Sequence, residues 1–107
     1  MGQDKLIQQL AECAATCNMC YNACLNEEDV SMMARCIELD RECADICQLT
    51  ASILARDSEN KEKYLSLCAD ICELCAEECG KHDNDHCRKC GEVCKKCAED
   101  CGKMAVA

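Results

Sequence analysis

Sixteen of the 107 residues are cysteine, and most recur at steps of three and four. Cys13, Cys17, Cys20 and Cys24 form one group, and Cys68, Cys72, Cys75 and Cys79 repeat its steps. Cys87, Cys90, Cys94, Cys97 and Cys101 make a longer group, and Cys36, Cys43 and Cys47 a sparser one. Steps of four, three and four bring a helix back to within about 20° of its starting direction, so each group forms one stripe on a helix face. Thiols therefore stand where a helical bundle ordinarily places leucine. Thiolate is a soft ligand, which selects Cu(I), Zn(II) or iron–sulfur clusters.

Charge separates these candidates. A Zn(II) ion held by four thiolates keeps a double negative charge, and stacked sites of that kind repel one another in a low-dielectric core. A monovalent ion at about one per thiolate leaves the column nearly neutral. Cu(I) accepts two or three sulfurs, which straight helices supply, whereas tetrahedral zinc sites usually gather ligands from loops. Cluster-binding cysteines sit in wrapping loops. The pattern points to storage or buffering of several Cu(I) ions per chain. A zinc-thiolate buffer of the metallothionein kind is the first alternative, and a disulfide-stapled helical interaction module without metal is the second.

Catalysis is not expected. Only two histidines are present, both near one turn, and neither a nucleophile–base pair nor a glycine-rich phosphate loop can be found. A redox relay needs one or two distinctive thiols, and these sixteen are alike.

The elements that must position the thiols follow from the same rhythm. No proline interrupts the chain. One helix is expected from about Asp4 to Leu25, with Leu6 and Leu10 continuing the line of its thiols. Asn26, Glu27, Glu28 and Asp29 make a turn with capping chemistry. The second helix runs to about Arg56, with Leu39 where another thiol could have stood. Asp57 to Asn60 form the second turn. The third helix ends at Gly80, expected as the residue just past its C-terminus, and the fourth ends near Gly102. Gly91 in the fourth helix allows close backbone approach. The pentapeptide Cys43–Cys47 recurs unchanged at Cys68–Cys72, which argues for one helix type used repeatedly. Short turns between long helices predict an all-α, antiparallel up-down-up-down four-helix bundle with a cysteine-lined core, as a single domain over residues 1–107.

Antiparallel packing makes the two ends of such a bundle differ. Leu6, Leu10, Thr50, Ile53, Leu54, Tyr64 and Leu65 gather at one end, with Met104 nearby, as an apolar plug. Cys24, Met32, Met33, Cys36, Cys79, His82, His86 and Cys87 gather at the other. Thioether and imidazole bind Cu(I) more weakly than thiolate, so Met32, Met33, His82 and His86 suit a mouth that captures ions and passes them inward. The Glu27–Asp29 and Lys61–Lys63 runs read as solvated faces and caps.

Composition bounds the rest. Leu, Ile and Val together number 17, without Phe or Trp, and the formal charge is −9. That balance would suggest disorder if the small, apolar thiols did not supply a core. An acidic chain lacks the basic patch that nucleic acid requires. No stretch is long enough to span a membrane, and residues 1–10 do not read as a signal peptide. A cytoplasmic location is expected, where thiols stay reduced.

The Cys-x-x-x-Cys and Cys-x-x-Cys helices, and especially His86-Cys87-Arg88-Lys89-Cys90 through Cys101, resemble the four-helix-bundle copper storage proteins along essentially the whole chain. The resemblance implies a cytosolic homotetramer of bundles, each holding many Cu(I) ions. Leu39 and Asp40 depart from the family pattern, as a gap in the thiol ladder of the second helix.

Overall fold

The computed structural model describes residues 2–106 as four helices: α1 (Gln3–Leu25), α2 (Ala34–Ala55), α3 (Lys61–Cys79) and α4 (Asp85–Ala105). A 3-10 turn, Val30–Met33, leads into α2. Each helix packs on its neighbours in chain order, and α4 closes back onto α1; diagonal helices meet only through side chains on the bundle axis, as where Cys43 Sγ of α2 stands 3.8 Å from Cys94 Sγ of α4. The result is an up-down-up-down bundle measuring 44 × 19 × 18 Å. α1 and α4 bring their backbones close over a shorter stretch than the other neighbouring pairs do. No described helix is long and apolar enough to cross a membrane.

Local chemistry explains where the helices stop, and it differs from expectation at three places. Gly80 follows α3 with a φ of −66°, so it is not left-handed. The chain leaves α3 through tight bonds from Lys81 N–H to Glu78 C=O and from His82 N–H to Cys79 C=O. The left-handed residue is instead Asp57, at φ 53°. Ser58 N–H bonds to Ile53 C=O and Asp57 N–H to Leu54 C=O, so α2 ends in a Schellman motif. Finally, α4 runs through Gly102 to Ala105. The expected side-chain caps are not formed at the helix starts; Asp29 accepts a bond from the Ser31 hydroxyl, 2.7 Å away.

Gly91 behaves as its position suggested. A Cβ there would lie 3.5 Å from both the Ala76 carbonyl oxygen and the Cys79 Cβ, so α3 and α4 approach closely at that level. Leu6, Leu10, Thr50, Ile53, Leu54 and Leu65 are buried together with the thiol stripes, and Tyr64 and Met104 are half-buried beside them.

Candidate metal centre

All sixteen cysteines are buried, none more than 1% exposed, and all are free thiols. Each stripe faces the bundle axis because its 4-3-4 spacing holds one direction while the helix turns. Thiols from different helices thereby come close: Cys17 Sγ lies 3.4 Å from Cys94 Sγ, and Cys36 Sγ 3.5 Å from Cys79 Sγ. Cys43 and Cys47 each stand 3.6 Å from Cys72. With metal–sulfur bonds of about 2.3 Å, two sulfurs on one ion sit about 3.8 to 4.6 Å apart. The sulfurs therefore need to part by only about 1 Å to receive ions.

Grouping shows how far the column extends. Cys13, Cys47, Cys72 and Cys97 place their sulfurs within 4.8 Å of one another, and so do Cys13, Cys17, Cys43 and Cys94. Cys17, Cys75, Cys90 and Cys94 form a further group, followed by Cys20, Asp40, Cys79 and Cys90, and by Cys20, Cys24, His86 and Cys87. Each successive group shares at least one cysteine with the one before: Cys13, then Cys17 and Cys94, then Cys90, then Cys20. Shared sulfurs are what a thiolate bridging two ions requires. Cys68 and Cys101 continue the column towards the apolar end, with Cys68 Sγ 3.8 Å from Cys47 Sγ and Cys101 Sγ 4.0 Å from Cys97 Sγ.

Asp40 is the residue that spacing alone misplaced. It does not lie in a gap: it is fully buried, and Cys36, Asp40, Cys43 and Cys47 reproduce the 4-3-4 step of the other stripes. The Cys75 and Cys90 thiols donate to its Oδ1 at 3.3 Å each, and Cys79 does so at 3.7 Å. Cys36 reaches Oδ2 at 3.8 Å. Leu39, offered as the missing rung, is buried one position off the line. The signal for Asp40 was present in the step pattern, hidden by the expectation that only sulfur belongs on it.

Burial sets the protonation of the column. Desolvation, followed by the neighbouring Cys36, pushes the Cys87 thiol up to about 12, and burial likewise raises Cys24. Within the array the hydrogen bond from Cys17 lowers Cys13, and the same pairing raises Cys17. Burial, with repulsion from Cys90, raises the Asp40 carboxyl to about 8. Where burial raises a thiol, as at Cys24 and Cys87, an incoming cation must displace its proton.

The four residues expected at the mouth separate. His86, from the first turn of α4, directs Nδ1 at three thiols: 3.5 Å from Cys20 and Cys87, and 3.9 Å from Cys24. His82 instead donates Nε2–H to Glu78 Oε2 at 2.9 Å, while Lys81 Nζ stands 3.5 Å from the other oxygen. Met33 is buried against the thiols, whereas Met32 is 69% exposed.

A family model described as copper storage protein matches residues 2–106. The chain is 48% identical over 82 residues, 77% of its length, to an uncharacterised cysteine-rich protein, YhjQ, of Bacillus subtilis strain 168, covering 76% of that protein. Among solved structures it is similar to apo copper storage protein 3 from Bacillus subtilis, with TM-score 0.92, 45% identity, and coverage of 97% of this chain and 99% of that one. It is also similar to a cytosolic copper storage protein from Streptomyces lividans loaded with five coppers, with TM-score 0.94, 34% identity, and coverage of 98% and 92%.

Proposed function

The chain belongs to the copper storage protein family, and from that premise we infer how it holds its cargo: Cu(I) ions, several per chain, occupy the thiol column. The observation that carries this is the continuity of the column, in which neighbouring ligand groups share sulfurs from end to end. Each Cu(I) that displaces a thiol proton leaves the interior no more charged than before. Filling can therefore proceed from ion to ion without the mounting repulsion that zinc would create.

The ligands in this reading are the sixteen cysteines, with Asp40 as an oxygen donor at the level of Cys20, Cys79 and Cys90. Ions enter past His86 and are captured by Cys20, Cys24 and Cys87 before moving inward. Met33 lines that passage; Met32 and His82 lie on its outer rim. The opposite end stays closed behind Leu6, Leu10, Leu54 and Leu65. No catalytic step is assigned to the protein. We place it in the cytosol, as the similar Streptomyces protein is described, where reduced thiols persist. We also infer a homotetramer, supported by an apolar ridge on α2 and α3 that exposes Leu49, Leu67 and Leu74 by 44%, 49% and 43%.

The test is an anaerobic titration of reduced protein with Cu(I) against a competing chelator, with Zn(II) in parallel. The expected capacity is on the order of one Cu(I) per cysteine, with far less Zn(II) retained. Saturation after one or two ions would point to a carrier, and stronger Zn(II) retention to a zinc buffer. Replacing Met32, Met33, His82 and His86 together should slow filling and leave capacity nearly unchanged; lost capacity at an unchanged rate contradicts the assigned mouth.

A further inference from the structure

His86 presents different surroundings to its two ring nitrogens. Nδ1 faces Cys20, Cys24 and Cys87, while Nε2 is buried on the other side without a hydrogen-bond partner inside 3.5 Å. The nearest acceptor identified for it is Glu27 Oε2, at 3.6 Å. Glu27 belongs to the turn after α1, far from His86 in sequence. Its Oε2 is not free to wander, because Asn84 Nδ2 donates to it at 2.9 Å. Asn84 is itself fixed: its backbone carbonyl accepts the N–H groups of Cys87 and Arg88, each at 3.0 Å, as the first bonds of α4. A strap therefore crosses the mouth from the α1–α2 turn to the start of α4. The acidic run containing Glu27 is not simply a solvated face.

We propose that Glu27 is a positioning residue for metal capture: held by Asn84, its carboxylate is the acceptor towards which His86 directs Nε2–H, so the ring keeps its proton on Nε2 and Nδ1 is the lone-pair nitrogen facing the three thiols. A neutral imidazole carries one N–H and one acceptor nitrogen, and only the acceptor can bind an ion. Without Glu27 the ring is free to place its proton on Nδ1, where it hydrogen-bonds to sulfur and blocks the ligand position. Carboxylates in this outer role orient metal-binding histidines and fix their tautomer. The inference rests on the Cu(I)-storage reading of the column.

Two variants and two measurements test it. Glu27→Leu removes the acceptor, while Glu27→Gln keeps a carbonyl oxygen able to accept both bonds and removes the charge. In reduced, metal-free protein, long-range proton–nitrogen NMR should show the wild-type His86 with its proton on Nε2. Glu27→Gln should match it, and Glu27→Leu should shift population towards the Nδ1–H form. Uptake of the first equivalent from a chelator-bound Cu(I) donor should slow about tenfold in Glu27→Leu and stay near the wild-type rate in Glu27→Gln. Helical circular dichroism and final capacity serve as controls for folding. A wild-type His86 protonated on Nδ1, or a tautomer indifferent to Glu27→Leu, overturns the proposal. Equal slowing in both variants overturns it too, since charge attraction alone would then explain the effect. Were the wild type to take up no Cu(I), the storage reading would fall while the NMR result still judged the role of Glu27.

Discussion

Asp40 brings a carboxyl group into a space otherwise walled by sulfur, and burial raises it from the ordinary 3.8 to about 8. The folded protein keeps that proton over a pH range in which the unfolded chain has released it. The contribution of Asp40 to the stability of the metal-free protein is therefore most favourable below about pH 4 and is lost as pH rises towards 8, by at most about 6 kcal/mol at about 1.4 kcal/mol per unit. Asp40→Asn keeps size and hydrogen bonding but cannot ionise. Urea midpoints of the reduced, metal-free protein should decline between pH 5 and 8 in the wild type and stay nearly flat in the variant. Parallel declines would assign the slope to the thiols instead. The thiols act in the opposite sense on cargo: ions displace their protons, and the raised proton affinity of Cys24 and Cys87 at the mouth makes Cu(I) capture weaken as pH drops.

At the scale of elements, the helices are held in phase by small residues as much as by large ones. The seam between α3 and α4 closes where Gly91 meets Ala76 and Cys79, yet a Cβ would find ordinary contacts of 3.5 Å there and 3.7 Å to the Gly80 nitrogen. Gly91→Ala should therefore fit, and its better helix propensity should stabilise the metal-free protein by up to about 1 kcal/mol. Gly91→Leu is the harder case, because its side chain must turn outward into the groove of about 700 Å³ that Gly91 borders, and the strain of doing so should cost at most about 1–3 kcal/mol. Denaturant unfolding measures both; destabilisation by alanine would show that the approach is tighter than these distances imply. The exposed ion pairs Arg41–Asp45 and Lys61–Asp57 add little by comparison.

The molecule has two unlike ends and an apolar ridge on its flank. Its apolar end closes the column, and its other end carries His86 and the Glu27–Asn84 strap. On the flank, Leu49, Leu67, Ile46 and Ile71 border a shallow groove of about 310 Å³, rimmed by Glu42 and Asp45. A second copy covering this ridge would remove leucine from water at about 25 cal/mol per Å². Leu49→Asp with Leu67→Asp should therefore lower the mass measured by light scattering, with Cu(I) capacity per chain unaltered. An unchanged mass would place the subunit contact elsewhere.

The sequence by itself determined the helices, their inward stripes and the soft-metal chemistry, because helical phase is local: a 4-3-4 step holds its direction whatever lies opposite. It also carried Asp40 on that step, although composition argued for reading it as a gap. Tertiary structure alone decided that His86 meets three thiols, that Met33 goes inside and Met32 outside, and that Glu27 stands behind the histidine. These outcomes depend on turns distant in sequence meeting at one end of the bundle, and no periodicity within a helix encodes how two loops will face each other.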